Sequence, residues 1–308
     1  MTGQEIFDSL SEYIDEKCIH PDQPMSEYTS FRAGGKALCV VEVHSIEEMR
    51  RVLTFVRKKF LPYFVLGNGT NVLVKDEGYP GIAVMLKGDF TKIDVTGYDV
   101  TCGGGALLAQ AGRMAADMWL TGMEWACGIP GTVGGAIRMN AGCFGSDMSS
   151  IVKRVRAITT SGEEITLLPH EMKFGYRHSL FCEKKYTVIE AVIELKKGDK
   201  NQIKELIEKY ARERREKQPL DMPNAGSIFK NPRDGRHAAQ LIDQTGLGGA
   251  YVGGAMVSEK HCGFIVNRGN ASATDILRLM ENVQREVFRE TGARLEPELV
   301  VYGNSRRY

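Results

Sequence analysis

The stretch Gly128-Ile-Pro-Gly-Thr-Val-Gly-Gly-Ala136 packs four glycines and a proline into nine residues and carries no charge. Glycine in the interior of a helix or strand costs roughly 0.5–1 kcal/mol relative to alanine, so regular structure is a poor use for such a run. It suits a place where the backbone turns sharply or where main-chain N–H groups line a large flat or phosphorylated ligand. A packed glycine turn is the plainer alternative. A second loop, Asn140-Ala-Gly-Cys-Phe-Gly145, follows almost at once. The 34 glycines among 308 residues are about 11%, against a typical ~7%. They cluster at 67–69, 103–105, 128–135 and 246–254 without a period, which excludes a collagen repeat or a linker.

The rest of the composition is that of an ordinary globular chain, 43% hydrophobic and 26% charged. A net charge of +1 gives no single-sign field that would favour nucleic acid as a partner. No apolar run approaches the ~18 residues of a membrane span. Residues 1–20 alternate charged and apolar groups and lack the basic start and apolar middle of a signal peptide. A cytoplasmic protein with no membrane insertion is expected, and a monomer. The seven cysteines form no CxxC and the six histidines no HExxH, so reduced thiols and no metal site are expected.

Along the chain, Ile6, Leu10 and Ile14 at four-residue steps predict a helix over 3–17. Residues 37–43 read as a strand, Ser45-Ile-Glu-Glu48 as a capping box opening a helix to about 59, and 63–66 as a second strand. Short β-like runs follow at 81–86, 91–95, 98–102, 151–159, 163–168 and 187–195, with a hairpin turn at Thr96-Gly97 and a helix at about 106–119. This middle region reads as α+β with mostly antiparallel pairing. A long helix at 199–217 carries Ile203, Leu206, Ile207 and Tyr210 on one face, and the same face reaches Arg214 and Lys217. That basic end is either a pair of snorkelling side chains or a pair aimed at an anionic ligand. Pro219 and Pro223 end the helix. A further helix at 272–290 and a final strand at 299–302 close the chain.

Gly67-Asn68-Gly69-Thr70-Asn71 follows the second strand directly. Successive N–H groups in such a loop can form a nest for phosphate, though a plain tight turn fits as well. Neither GxGxxG nor GxxxxGK[ST] occurs. The remaining polar segments are Phe174-Gly-Tyr-Arg-His-Ser179, Ala225-Gly-Ser-Ile-Phe-Lys-Asn-Pro232 and Leu295-Glu-Pro-Glu298. Individually, each has a bland reading as a ring-stacked cation, a turn serine and solvated carboxylates.

Taken in order, these segments together with Thr29-Ser-Phe-Arg-Ala-Gly-Gly35, Gln218-Pro219 and Leu241-Ile-Asp-Gln244 resemble the UDP-N-acetylenolpyruvoylglucosamine reductase family, from about Tyr28 to Gly303. The resemblance implies an α+β, vanillyl-alcohol-oxidase-type FAD-binding fold with a C-terminal α+β substrate domain. Subdomains at 1–72 and 73–198 and a substrate domain at 199–308 are expected. It implies non-covalent FAD, held by Gly67, Asn68, Gly69, Thr70 and Asn71 and by Gly128, Ile129, Pro130, Gly131, Thr132, Gly134, Gly135 and Ala136. The short spacing after Arg177 matches the shorter class, without an extra tyrosine-bearing loop. Where the family often carries arginine two residues after its final glutamate, this chain has Val300.

The implied reaction passes hydride from NADPH to FAD and from flavin N5 to C3 of the enolpyruvyl group of a UDP-sugar, with a proton to C2. Arg177 would stabilise the enolate charge, Glu298, protonated, would hydrogen-bond the carboxylate, and Ser227 would deliver the proton. Lys230 or water would assist Ser227. Tyr176, Arg214, Lys217, Lys230 and Asn231 would contact the substrate, Lys217 and Asn231 at its diphosphate. The competing readings are another FAD oxidase or dehydrogenase of the same superfamily and a non-catalytic nucleotide-sugar or flavin sensor.

Overall fold

The computed structural model describes residues 1–303. It divides into two compact units, each assembled from several stretches of chain. The first comprises Met1–Pro21, Cys39–Asn68 and Gly81–Arg214, the second Asp22–Leu38, Gly69–Pro80 and the chain from Arg215 onward.

In the first unit, helix α1 (Gly3–Leu10) packs on helix α2 (Ile46–Lys59). The predicted first helix is cut short. The side chain of Asp15 accepts the N–H of Lys17 and starts a separate 3-10 turn at Glu16–Cys18, a local bond that competes with helix. Ile14 remains buried all the same. α2 begins as expected, with Ser45 accepting the N–H of Glu48. The reciprocal half of the box differs: the Glu48 carboxylate takes the N–H of His44 rather than that of Ser45. A four-stranded sheet has the order Ile19–Pro24, Lys36–Val43, Tyr79–Leu86, Tyr63–Leu66, the last two parallel.

The middle region forms a five-stranded sheet in the order Glu164–Leu167, Val152–Ile158, Thr187–Glu194, Asp99–Gly103, Ile93–Thr96, antiparallel throughout. Thr96 and Asp99 close its predicted hairpin, with Gly97 at φ +63°. Helices α3 (Leu108–Asp117) and α4 (Val133–Met139) lie on this sheet, and Leu108, Ala111, Ile137, Val155, Ala191 and Ile193 share one core. A short helix α5 (Leu180–Glu183) precedes the sheet's central strand. The long helix α6 (Lys200–Lys217) buries Ile203, while Leu206, Ile207 and Tyr210 are half-buried.

In the second unit an antiparallel sheet has the order Asn224–Ser227, Phe264–Asn267, Ala255–Val257, Tyr251–Val252. It shares a core with helices α7 (Ala238–Gln244) and α8 (Ala273–Thr291). Ser272 and Asp275 form a complete capping box on α8. The Asp76 carboxylate adds bonds from the N–H groups of Ala273 and Thr274 at 2.9 and 2.8 Å, placing a negative charge at the positive helix end. The strand Val300–Tyr302 pairs in parallel with Val72–Val74. Among the described residues no helix is long and apolar enough to cross a membrane.

Candidate active site

The two glycine loops meet within the first unit. Asn68 Nδ2 donates to the carbonyl of Pro130 at 2.6 Å. A Cβ on Gly67 would fall 2.5 Å from Thr132 Oγ1, so only glycine lets the loops close to this distance. Thr132 is buried and its hydroxyl accepts the N–H of Gly135, capping α4. The neighbouring amides are consumed as well: Val133 donates to Ala106 O and Gly134 to Gly104 O, both at 2.8 Å. The sequence-based picture of amides lining a ligand therefore needs correcting for residues 133–135, whose N–H groups hold the loop itself.

What the loop leaves accessible is backbone without bulky side chains. Gly128, Pro130 and Gly135 are exposed, Ile129, Gly131 and Gly134 half-buried, and Ala136 buried in the core. Thr132 faces Leu107 across an isolated antiparallel bridge whose bonds run from the residues beside each (Leu108 to Gly131, Val133 to Ala106). In that register its own N–H points away from Leu107. A flat, phosphate-bearing group such as FAD fits against such a ledge. The floor of the ledge is cationic: Arg214 on α6 lies against Gly128, where a Cβ would come within 2.8 Å of Arg214 Cδ. Burial draws the Arg214 guanidinium below the ordinary arginine value, and Cys143 beside it opposes that shift.

A second arginine approaches the same hairpin. Residues 175–178 form a tight turn in which Gly175 and His178 exchange N–H···O bonds. Arg177 sits in that turn at φ +52°, a conformation that costs a non-glycine residue on the order of 1 kcal/mol or more and is found disproportionately at functional sites. Its Nη2 donates to Gly142 O at 2.9 Å, and its guanidinium lies over the Tyr176 ring. Tyr176 is exposed. Gly142 opens the short hairpin Gly142–Cys143/Ser146–Asp147, whose Phe144 stacks on Tyr210 of α6 at 4.1 Å. Arg177 and Arg214 thus grip one hairpin and both influence the Cys143 thiol, which burial nevertheless pushes up. Two cations around one small turn make a site for an anion.

The other predicted residues lie in the second unit. Gly69 sits at φ +64°, where a Cβ would be 2.1 Å from Tyr28 O. Ser227, exposed, ends the strand Asn224–Ser227 opposite Phe264. Beyond it, residues 228–230 run beside 296–298. Glu298 donates its N–H to Ile228 O at 2.7 Å, Lys230 donates to Glu296 O at 2.9 Å, and Phe229 bridges to Pro297. Asn71 Nδ2 donates to Glu298 O at 3.1 Å, and Val300 donates to Asn71 O. Ser227, Glu298, Asn71 and Lys230 are therefore tied together through main chain. Thr70 is half-buried between Gly69 and Asn71. Lys230 Nζ is 3.9 Å from Glu296. Asn231 Oδ1 accepts the N–H of Ala238 at the start of α7, a structural duty beside any substrate contact. Lys217 is exposed at the end of α6.

Several supporting residues carry no sequence signal of their own. Gly104 and Ala106 supply the carbonyls that hold the 131–135 loop. Asn140, buried at φ +41°, donates to Asp147 and Gly175 O and accepts from Ser149, joining the hairpin to the Arg177 turn. Ser30 donates to Asn224 O at 2.6 Å beside the Ser227 strand. The glycine cluster and the Thr29–Gly35 motif hinted at the first and last of these. Asn140 opens the second glycine loop of the sequence, but its bonds to Asp147, Gly175 and Ser149 depend on the fold.

An antiparallel sheet carrying joined glycine loops and a separate α+β unit carrying polar residues fit the class of FAD-binding oxidoreductases. Residues 37–168 match the family described as FAD binding domain, and residues 218–302 match UDP-N-acetylenolpyruvoylglucosamine reductase, C-terminal domain. The chain belongs to the UDP-N-acetylenolpyruvoylglucosamine reductase family. It is 41% identical over 303 residues to the protein of that name from Clostridioides difficile, covering 98% of this chain and 99% of that one. It is also 41% identical to the one from Caldanaerobacter subterraneus, over 97% of this chain and 98% of that one. The crystal structure of the Thermus caldophilus reductase superposes with a TM-score of 0.81 at 37% identity, covering 91% of this chain and 97% of that one.

Proposed function

We propose that this enzyme reduces the enolpyruvyl ether of UDP-N-acetylglucosamine to UDP-N-acetylmuramate, using NADPH, as a cytoplasmic monomer in peptidoglycan precursor synthesis. FAD, when bound, supplies the hydride relay between NADPH and the substrate double bond. In functional terms, residues 1–72 and 73–198 bind FAD and 199–308 bind substrate. This division cuts the chain differently from the compact units, in which 22–38 and 69–80 group with the C-terminal stretch.

The observation that carries this reading is the tie from the Asn71 side-chain amide to Glu298 O and from Glu298 N–H to Ile228 O, next to Ser227. It joins a predicted flavin-loop residue, a carboxyl and a hydroxyl in one unit. Hydride addition at C3 sends negative charge through C2 to the carboxylate. Arg177 holds that carboxylate by a charged fork, and its positive-φ turn fixes its direction. Glu298, protonated, donates to the same group. Ser227 gives its proton to C2 and regains one from Lys230 or water. Arg214, Lys217 and Asn231 hold the diphosphate, and Tyr176 contacts the substrate beside Arg177.

The test is product identification. Purified enzyme, NADPH and UDP-N-acetylglucosamine enolpyruvate are expected to yield UDP-N-acetylmuramate by mass spectrometry, with NADPH consumed one for one. NADPH oxidation that follows oxygen consumption, with the nucleotide sugar unchanged, would overturn the proposal in favour of an oxidase.

A further inference from the structure

Away from the glycine loops, three metal-ligating side chains from separate positions meet in the first unit. Cys18 ends the 3-10 turn before the first strand, Glu42 lies on Lys36–Val43, and His44 directly follows that strand. Their ligand atoms all lie within 4.8 Å of one another. Glu42 and His44 are alternate residues of extended chain and so point to the same side. Cys18 Sγ is 3.5 Å from His44 Nε2. Two ligands on one tetrahedral zinc, at about 2.3 Å for sulfur and 2.0–2.1 Å for nitrogen, are separated by about 3.5 Å.

The histidine is held in place from the other side. Its N–H donates to Glu48 at 2.6 Å and its carbonyl accepts from Asp89. A Cβ on Gly88 would lie 2.9 Å from His44 Nδ1, so the ring is wedged with Nδ1 against Gly88 and Nε2 toward Cys18. Lys87 Nζ stands 4.0 Å from Glu42, beyond hydrogen-bond reach. Burial, and then the charges of Asp15, Glu42 and Glu48, push the Cys18 thiol up. That same negative field favours a dication.

We propose that Cys18, Glu42 and His44 bind one borderline-soft divalent cation of the zinc type, with a solvent molecule in the fourth position. Thiolate, imidazole and carboxylate together select such an ion over calcium or magnesium, which prefer all-oxygen sites. The site would clip the turn before the first strand to the end of the second. Binding replaces the thiol proton: Cys18 loses H⁺ to solvent and its sulfur gains the metal bond.

Isothermal titration of the FAD-loaded protein with zinc chloride, in buffers of different protonation enthalpy, tests this. One zinc per chain, with proton release, is expected. Cys18→Ser and His44→Gln are each expected to weaken binding by more than the ~10–100-fold that loss of an outer-shell partner costs. Cys182→Ser is expected to bind as the parent chain does. Reduction of bound flavin by NADPH, retained in every variant, shows that the fold is intact. No saturable binding, or parental affinity in Cys18→Ser, would overturn the proposal. X-ray absorption at the zinc edge of the parent chain is a check that needs no variant: one sulfur among nitrogen and oxygen ligands supports the site, and a sulfur-free shell refutes it.

Discussion

The side-chain amide of Asn71 donates to the carbonyl of Glu298 at 3.1 Å, joining residues 227 positions apart. Val300 N–H returns a bond to Asn71 O, so the segment 298–300 is held at two points by the same asparagine. Asn71→Ala removes one of these bonds, typically ~0.5–1.5 kcal/mol, or about 2- to 12-fold if it is felt fully in the transition state. Stopped-flow measurement is expected to show flavin re-oxidation by the enolpyruvyl substrate slowed by roughly that factor, with flavin reduction by NADPH unchanged. Equal slowing of both would mean that Asn71 acts on the flavin and not through Glu298.

Arg177 combines a charged fork with a bond to Gly142 O and a strained backbone. Arg177→Lys keeps the charge and loses the fork. Loss of one charge-stabilising donor costs on the order of 10²–10³ in rate. The loss is expected in re-oxidation alone, and near-parental re-oxidation would remove Arg177 from the reaction.

Gly67→Ala puts a methyl 2.5 Å from Thr132 Oγ1 and pushes that hydroxyl from Gly135 N–H. Disturbing a helix cap costs about 1 kcal/mol. Parted glycine loops would also hold FAD less well, so flavin lost on gel filtration, with the circular dichroism of a folded chain retained, is the expected result. Full flavin occupancy would separate the loop contact from cofactor binding.

His261 offers a pH test in the second unit. Burial lowers its pKa below the ordinary histidine value, and its Nδ1 accepts the N–H of Gly263, which requires an unprotonated Nδ1. The unfolded chain takes up this proton near pH 6.5 while the folded chain resists it. Between the folded value and about 6.5 the unfolded state binds more protons, so stability falls as pH falls through that window and levels off below it. Urea unfolding from pH 7.5 downward is expected to show this slope, and His261→Gln to flatten it. An unchanged slope in the variant would assign the pH dependence to other groups.

The regular elements were legible because their signals are local. Ser45 caps α2 and Thr96-Gly97 turns the hairpin as their residue types require. The middle sheet's antiparallel pairing followed from its short alternating strands. Competition between local bonds was less visible: Asp15 caps a separate 3-10 turn where the helix was expected to continue, and Glu48 bonds His44 instead of Ser45. The glycine run turns sharply only up to Thr132, because Val133–Ala136 already form the first turn of α4, and which amides it uses internally depends on Gly104 and Ala106, some thirty residues upstream. The discontinuous units were out of reach, because no local pattern says that 22–38 and 69–80 group with the chain from Arg215. Cys18 and His44, 26 residues apart, match no spacing motif either.

The most direct measurement of the central claim is flavin absorbance under anaerobic conditions, in two mixing steps, for the parent enzyme and Ser227→Ala. NADPH is expected to bleach the flavin in both. Added UDP-N-acetylglucosamine enolpyruvate is expected to restore the oxidised spectrum promptly in the parent and ~10²–10⁴-fold more slowly in the variant, the usual value of a lost general acid. A parent flavin that reduces but stays reduced when the nucleotide sugar is added would contradict the account.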